Sequence, residues 1–80
     1  MPKRPPSVVL RAALRRRIRD RVAELQMSGA AAAQRLGFSP AQMSRLNRGD
    51  DIFTLDRLID AAARIGLTVR MTATRPYRAR

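Results

Sequence analysis

The chain contains no cysteine, no histidine and no tryptophan. Without cysteine there is no disulfide framework and no thiol nucleophile. Without histidine as well, the usual zinc ligands and every nucleophile–imidazole arrangement are excluded. Carboxylates are scarce, six in 80 residues, and no two stand in an apolar setting suited to paired acid–base work. Enzymatic hydrolysis is therefore not expected, and no cofactor is implied. Apolar runs are short: none approaches the ~20 residues that cross a bilayer. Arg11 and the run Arg15 to Arg17 interrupt any apolar stretch behind the basic start Met1-Pro2-Lys3-Arg4 that would act as a leader. The expectation is a cytoplasmic chain with no membrane partner.

Positive charge is what the sequence has in excess. Seventeen bases stand against six acids, for a net charge of +11, and Lys3 is the sole lysine among sixteen arginines. The mass of 9.0 kDa allows one small domain, and the pI of about 12.0 calls for a polyanionic partner. The excess is uneven: residues 1–27 carry +6, residues 28–49 carry +3 with no acid, residues 50–66 carry −2, and residues 67–80 carry +4. One basic side and one neutral side fit that distribution better than a uniformly solvated tail.

Periodicity divides the chain into a flexible basic segment 1–7, a helical domain 8–66, a strand 67–74 and a basic tail 75–80. Pro2, Pro5 and Pro6 keep the start extended, and Ser7 is placed to cap the first helix. Leu10, Leu14, Ile18, Val22 and Leu25 then form one stripe of a helix over about 8–26; Arg11, Arg15 and Arg19 form a row that reads as a solvated face, with contact to phosphates flanking a DNA site as the alternative, and Arg16–Asp20 is an i,i+4 pair. Ser28 caps a short alanine-rich helix ending at Leu36, where Gly37 allows a left-handed residue. Ser39-Pro40-Ala41-Gln42 is a capping box with proline at the first helical position, opening a helix over 40–48 that buries Met43 and Leu46. Phe38 is placed to staple to Met43. Thr54 caps a fourth helix with Asp56 in its first turn, Phe53 placed to staple to Leu58, and Leu55, Leu58, Ile59, Ala62 and Ile65 as its buried stripe. After Gly66 the period becomes two: Leu67, Val69, Met71 and Ala73 alternate with polar residues as in a strand. No second strand pattern exists, so that strand is expected to pair with its copy in a homodimer, or with another protein.

Ala33, Gly37, Met43 and Leu46 have the spacing of two short helices crossing steeply over a tight turn, the helix-turn-helix pattern. Over about residues 28–66 the residues resemble the Xre/Cro-repressor-like family, with the long first helix in its usual place. The likeness is greatest to small Xre-type antitoxins of the host-inhibition-of-growth kind. It is carried by Ser28 and Ala30 to Ala33, Arg35-Leu36-Gly37, Ser39, Ser44, Leu46 and Gly49. Phe53-Thr54-Leu55-Asp56-Arg57-Leu58 and Gly66-Leu67-Thr68-Val69 extend it.

The resemblance implies a mainly α, four-helix domain, dimerised through Leu67, Val69, Met71 and Ala73, that lays helix 40–48 into the major groove of double-stranded DNA. Pro40, Ala41, Ser44 and Arg45 would point at bases, and Arg45 has the guanidinium that bonds guanine in two places. Ser28, Ser39, Gln42 and Arg48 would hold phosphates. A transcriptional repressor is implied, with a cognate toxin as a further partner; that toxin would meet apolar surface or the acidic 50–66 segment. Gly29 stands where relatives commonly carry Gln, Ala31 where Glu is frequent and Pro40 where a polar residue is usual. Those departures fit either a site read through charge and DNA shape or a module that has partly lost DNA binding. Three alternatives stay open beside the repressor: a tight helical hairpin in a small bundle, a module adding its strand to a partner's sheet, and a charge-driven nucleic-acid binder. Helix 8–26 lacks the aromatic anchors of a membrane-surface helix.

Overall fold

The computed structural model describes residues 5–73, which form four helices: α1 (Pro6–Glu24), α2 (Gly29–Leu36), α3 (Pro40–Arg48) and α4 (Leu55–Arg64). Three of them start on the expected caps. Ser28 Oγ accepts from Ala31 N, Ser39 Oγ from Gln42 N, and Thr54 Oγ1 from Arg57 N, each at 3.1 Å. Gln42 Oε1 accepts in turn from Ser39 N at 2.8 Å, completing the capping box.

Helix α1 differs from expectation at both ends. It begins at Pro6, with Pro5 at the N-cap and no side-chain cap, so Pro6 and Ser7 are helical rather than part of a flexible segment. The reason is that proline at the first helical position has no N–H to leave unsatisfied and a φ already suited to the helix. Residues 1–4 of that segment, Thr74 and the 75–80 tail lie outside the described residues.

All four helices finish with one pair of bonds. At the ends of α1 to α4, Met27 N reaches Val22 O, Phe38 N reaches Ala33 O, Asp50 N reaches Arg45 O and Leu67 N reaches Ala62 O. A bond from the preceding residue, to the carbonyl three positions before it, completes each motif. That preceding residue is left-handed. At α2 it is Gly37, with φ +78°, where a Cβ would also stand 2.9 Å from Arg64 Nη1. At α1 it is Gln26, with φ 55°, the one described non-glycine residue at positive φ. A left-handed L-residue costs about 1–2 kcal/mol, of which glycine's greater unfolded freedom returns part. Gln26→Gly is therefore expected to stabilise the domain by about 0.5–1 kcal/mol, read as a higher urea midpoint; a lower midpoint would contradict the strain.

The core joins all four helices through Ile18, Ala32, Ala33, Leu36, Met43, Leu46, Leu58, Ala61, Ala62 and Ile65. Phe38 and Phe53, each just before a cap, are buried and stacked on one another with centroids 4.6 Å apart, tying the starts of α3 and α4 together. Of the stripe expected on α1, Ile18 is fully buried while Leu10 and Leu25 are exposed. The physical reason is length. Nineteen residues span about 28 Å, against eight to ten in the other helices, so the ends of α1 overhang the bundle.

Of the arginine row on α1, Arg19 is exposed as expected, but Arg11 and Arg15 are not solvated. Arg15 is only 7% exposed. Arg11 donates to both carboxylate oxygens of Asp51 at 2.8 and 2.9 Å, and Arg15 Nη1 donates to Oδ1 at 3.0 Å. Asp51 belongs to the α3–α4 connection, so this clamp fixes α1 against the end of α3. The expected Arg16–Asp20 pair is not formed; Glu24 instead accepts from Arg17 and Arg21, both at 3.4 Å. Other arginines close helix ends: Arg21 Nε donates to Ile65 O at 3.0 Å, Arg35 to Arg64 O at 3.1 Å, and Arg57 to Gly37 O at 2.8 Å. Arg57 also lies over the Phe38 ring at 5.1 Å.

Hydrogen bonding from Arg11, then the charges of Arg11 and Arg15, hold the Asp51 carboxyl below its ordinary range against an opposing desolvation effect. A carboxylate depressed in the folded state stabilises above its unfolded pKa and stops doing so as pH falls through the folded value. Asp51→Asn should therefore be less stable than wild type at neutral pH by a constant margin, which starts to shrink near the unfolded pKa of about 3.9 and vanishes only below the folded pKa of Asp51. Urea unfolding across a pH series checks this; a margin persisting at lower pH would mean that the clamp is not what Asp51 contributes.

No strand forms among the described residues, so the strand expected over 67–74 is corrected over 67–73. Burial does alternate there, Leu67 and Val69 being half-buried and Thr68 and Arg70 exposed. A strand needs a ladder partner, and the other described residues form helices and their connections.

Candidate nucleic-acid interface

Helix α3 has a buried side and a free side. Met43 and Leu46 enter the core, while Ala41, Ser44, Arg45 and Arg48 are all exposed. At about 100° per residue these four share an arc of roughly 100° on the outer surface. Arg45 makes no ion pair with another described residue. Arg48 is exposed but donates to Asp50 Oδ2 at 2.9 Å, so its guanidinium already has an anion.

The other expected site residues stand at helix starts. Ser28 and Ser39 are exposed N-caps, and Pro40 occupies the first turn of α3. As acceptors from their own helices, Ser28 Oγ and Ser39 Oγ keep their O–H free to donate outward. Gln42 is half-buried off the outer arc, and its carbonyl is engaged by Ser39 N, which leaves its amide NH₂ as donor.

Between α2 and α3 runs an open groove of about 670 Å³, lined on the α2 side by Gly29, Ala30, Ala33 and Gln34. Its α3 wall includes Pro40, Ser44, Asn47 and Arg48. Small residues let the two helices approach and leave the N-terminus of α2 uncovered; a Cβ on Gly29 would meet nothing within 4 Å. Asn47, exposed on this wall, was not foreseen from the sequence. Its spacing of three from Ser44 was the available signal.

The residues assigned to dimerisation sit elsewhere. Leu67 and Val69 pack partly on the chain's own core, while Met71 is 61% exposed and Ala73 is exposed. Met71 and Val69 line a small apolar groove of about 230 Å³ with Leu10, Leu14 and Leu55.

Around these surfaces the arginines fall into two groups. Those binding Asp51, Glu24, Asp50 or helix carbonyls are structural. Arg16, Arg19, Arg45, Arg64 and Arg70 make no side-chain bond to another described residue and leave their charge to solvent. No helix among the described residues is long and apolar enough to cross a membrane.

A helix-turn-helix domain family matches residues 1–74. No curated protein and no solved structure matches the chain. That family is a DNA-binding one, and its match spans α1 to α4: the chain belongs to the helix-turn-helix domain family.

Proposed function

We propose that the protein is a sequence-specific transcriptional repressor that inserts α3 into the major groove. The observation that carries this reading is Arg45: an exposed guanidinium without a described partner, in the middle of a helix whose opposite side is locked by Met43 and Leu46. A helix fixed that way presents its donors at a set angle, as base reading requires. Arg45 takes a guanine edge, and Ser44 and Ala41 meet the neighbouring bases. The hydroxyls of Ser28 and Ser39, the amide of Gln42 and the first N–H groups of α2 and α3 take phosphates. Arg48 reaches a phosphate by releasing Asp50.

Repression through a palindromic operator calls for two copies. The two copies meet near the segment after α4, where exposed Met71 and Ala73 supply side-chain contact. Leu67 and Val69, already turned towards their own core, hold each segment in place. An antitoxin role is supported by the sequence resemblance alone. A toxin would find Asp56 and Asp60 exposed, because Asp50 and Asp51 are occupied by arginines.

Selection of bound duplexes from a random pool tests the reading, with light scattering on the free and bound protein. The expected result is an enriched palindrome with half-site centres about one helical turn, ~34 Å, apart, bound by a dimer. Equal affinity for every duplex, vanishing with added salt, would replace specific reading by charge alone.

A further inference from the structure

A second groove lies on the other side of α3 from the one it shares with α2. It is an open trough of about 790 Å³ between α1 and the C-terminal end of α3, lined by Arg16, Arg19, Asp20, Asn47 and Gly49. Its charge is unspent. Arg11 and Arg15 are held by Asp51, and Arg17 and Arg21 by Glu24, whereas Arg16 and Arg19 are exposed and bond no other described residue. Asn47 belongs to both grooves, so the trough adjoins the α2–α3 groove at that residue. Gly49 leaves its mouth uncovered: a Cβ there would meet nothing within 4 Å.

We infer that this trough is a second DNA contact, a track for the phosphate backbone flanking the bases read by α3. The inference rests on the DNA-binding reading above. Its geometry suits a polyanion strand. Residues three apart on a helix have Cβ atoms about 5–6 Å apart, and a DNA strand presents one charge per ~3.4 Å of axis. Arg16 and Arg19 therefore address neighbouring phosphates, with the Asn47 amide as a neutral donor beside them. Asp20 is the one carboxylate lining the trough and opposes the strand. The apolar groove of Leu10, Leu14 and Met71 lies on the opposite flank of α1, so a partner there leaves the track open.

The test compares Arg16→Gln/Arg19→Gln with a charge-matched control, Arg17→Gln/Arg70→Gln, whose arginines line the opposite groove. Full-length proteins are titrated with duplexes at several salt concentrations, and folding is checked by urea unfolding. The trough variant is expected to lose about tenfold in affinity on selected and random duplexes alike, and to flatten the log K against log salt slope by about 1.8. The control should move the slope by much less, and Asp20→Asn should raise affinity on both duplexes. Equal slopes for the two double variants would reduce the effect to net charge and overturn the track. An unchanged slope in a folded, DNA-binding trough variant overturns it too, while leaving base reading by α3 intact. Failure of the wild type to bind any duplex would overturn both readings together.

Discussion

Truncating Leu46 to alanine is expected to lower the free energy of unfolding by about 3 kcal/mol, within the ~2–5 kcal/mol range for buried leucines. Leu46 is fully buried, and α3 packs mainly on α2 and more lightly on α1. The missing methyl groups would leave a cavity among short helices whose ends are fixed by caps and arginine bridges, so little collapse can fill it. A domain this small holds only about 4–12 kcal/mol in total, so the variant should unfold at a much lower urea concentration. Ser44→Ala, on the exposed side of the same helix, should stay within about 0.5 kcal/mol of wild type. A loss under about 1 kcal/mol for Leu46→Ala would mean that α3 is not docked through this residue, and the angle at which it presents Arg45 would no longer be fixed.

Arg45→Ala should act on binding and leave folding alone. On the selected duplex the expected loss is about 1–3 kcal/mol, roughly 5- to 150-fold, with little change on random duplexes. The reasoning is differential. A guanidinium bonded to one guanine edge contributes only where that guanine is present, whereas one bonded to phosphate contributes everywhere. Arg45→Lys keeps the charge and loses the fork, so it should bind random DNA normally and fall between the other two proteins on the selected site. Gel-shift titrations with both duplexes decide. Equal losses on both would make Arg45 a backbone contact and move base reading to other residues of α3.

What the sequence made legible was set by how local the physics is. The capping box at Ser39 and Gln42, proline at the start of α3 and the glycine after its end lie within a dozen residues of each other, and both ends of that helix fall where expected. The start of α1 at Pro6 is less legible, because a proline-rich start reads as extended until the one position where proline fits a helix is considered. The burial of Arg15 depends on Asp51, 36 residues away, and nothing in the spacing of an arginine row says which member meets a distant loop. The trough is hidden for the same reason: it exists only where α1 crosses the end of α3, so Arg16 and Asn47 gain meaning from the crossing. The segment after Gly66 shows the converse limit. Alternation describes which side chains turn inward, and Leu67 and Val69 do, but a ladder is a property of two segments.

The arginine bridges to Ile65, Arg64 and Gly37 bear on the chain's composition. A guanidinium can reach a carbonyl with one nitrogen while another faces a carboxylate, as Arg21 does, and it can sit over a ring while still donating, as Arg57 does. Lysine offers a single point of attachment. A version of the protein with lysine throughout would carry an identical electrical charge and lose the cross-bracing. In this molecule the cation that attracts a polyanion and the strut that holds the scaffold square are one residue type, so solubility or affinity cannot be retuned at those positions without also loosening the frame.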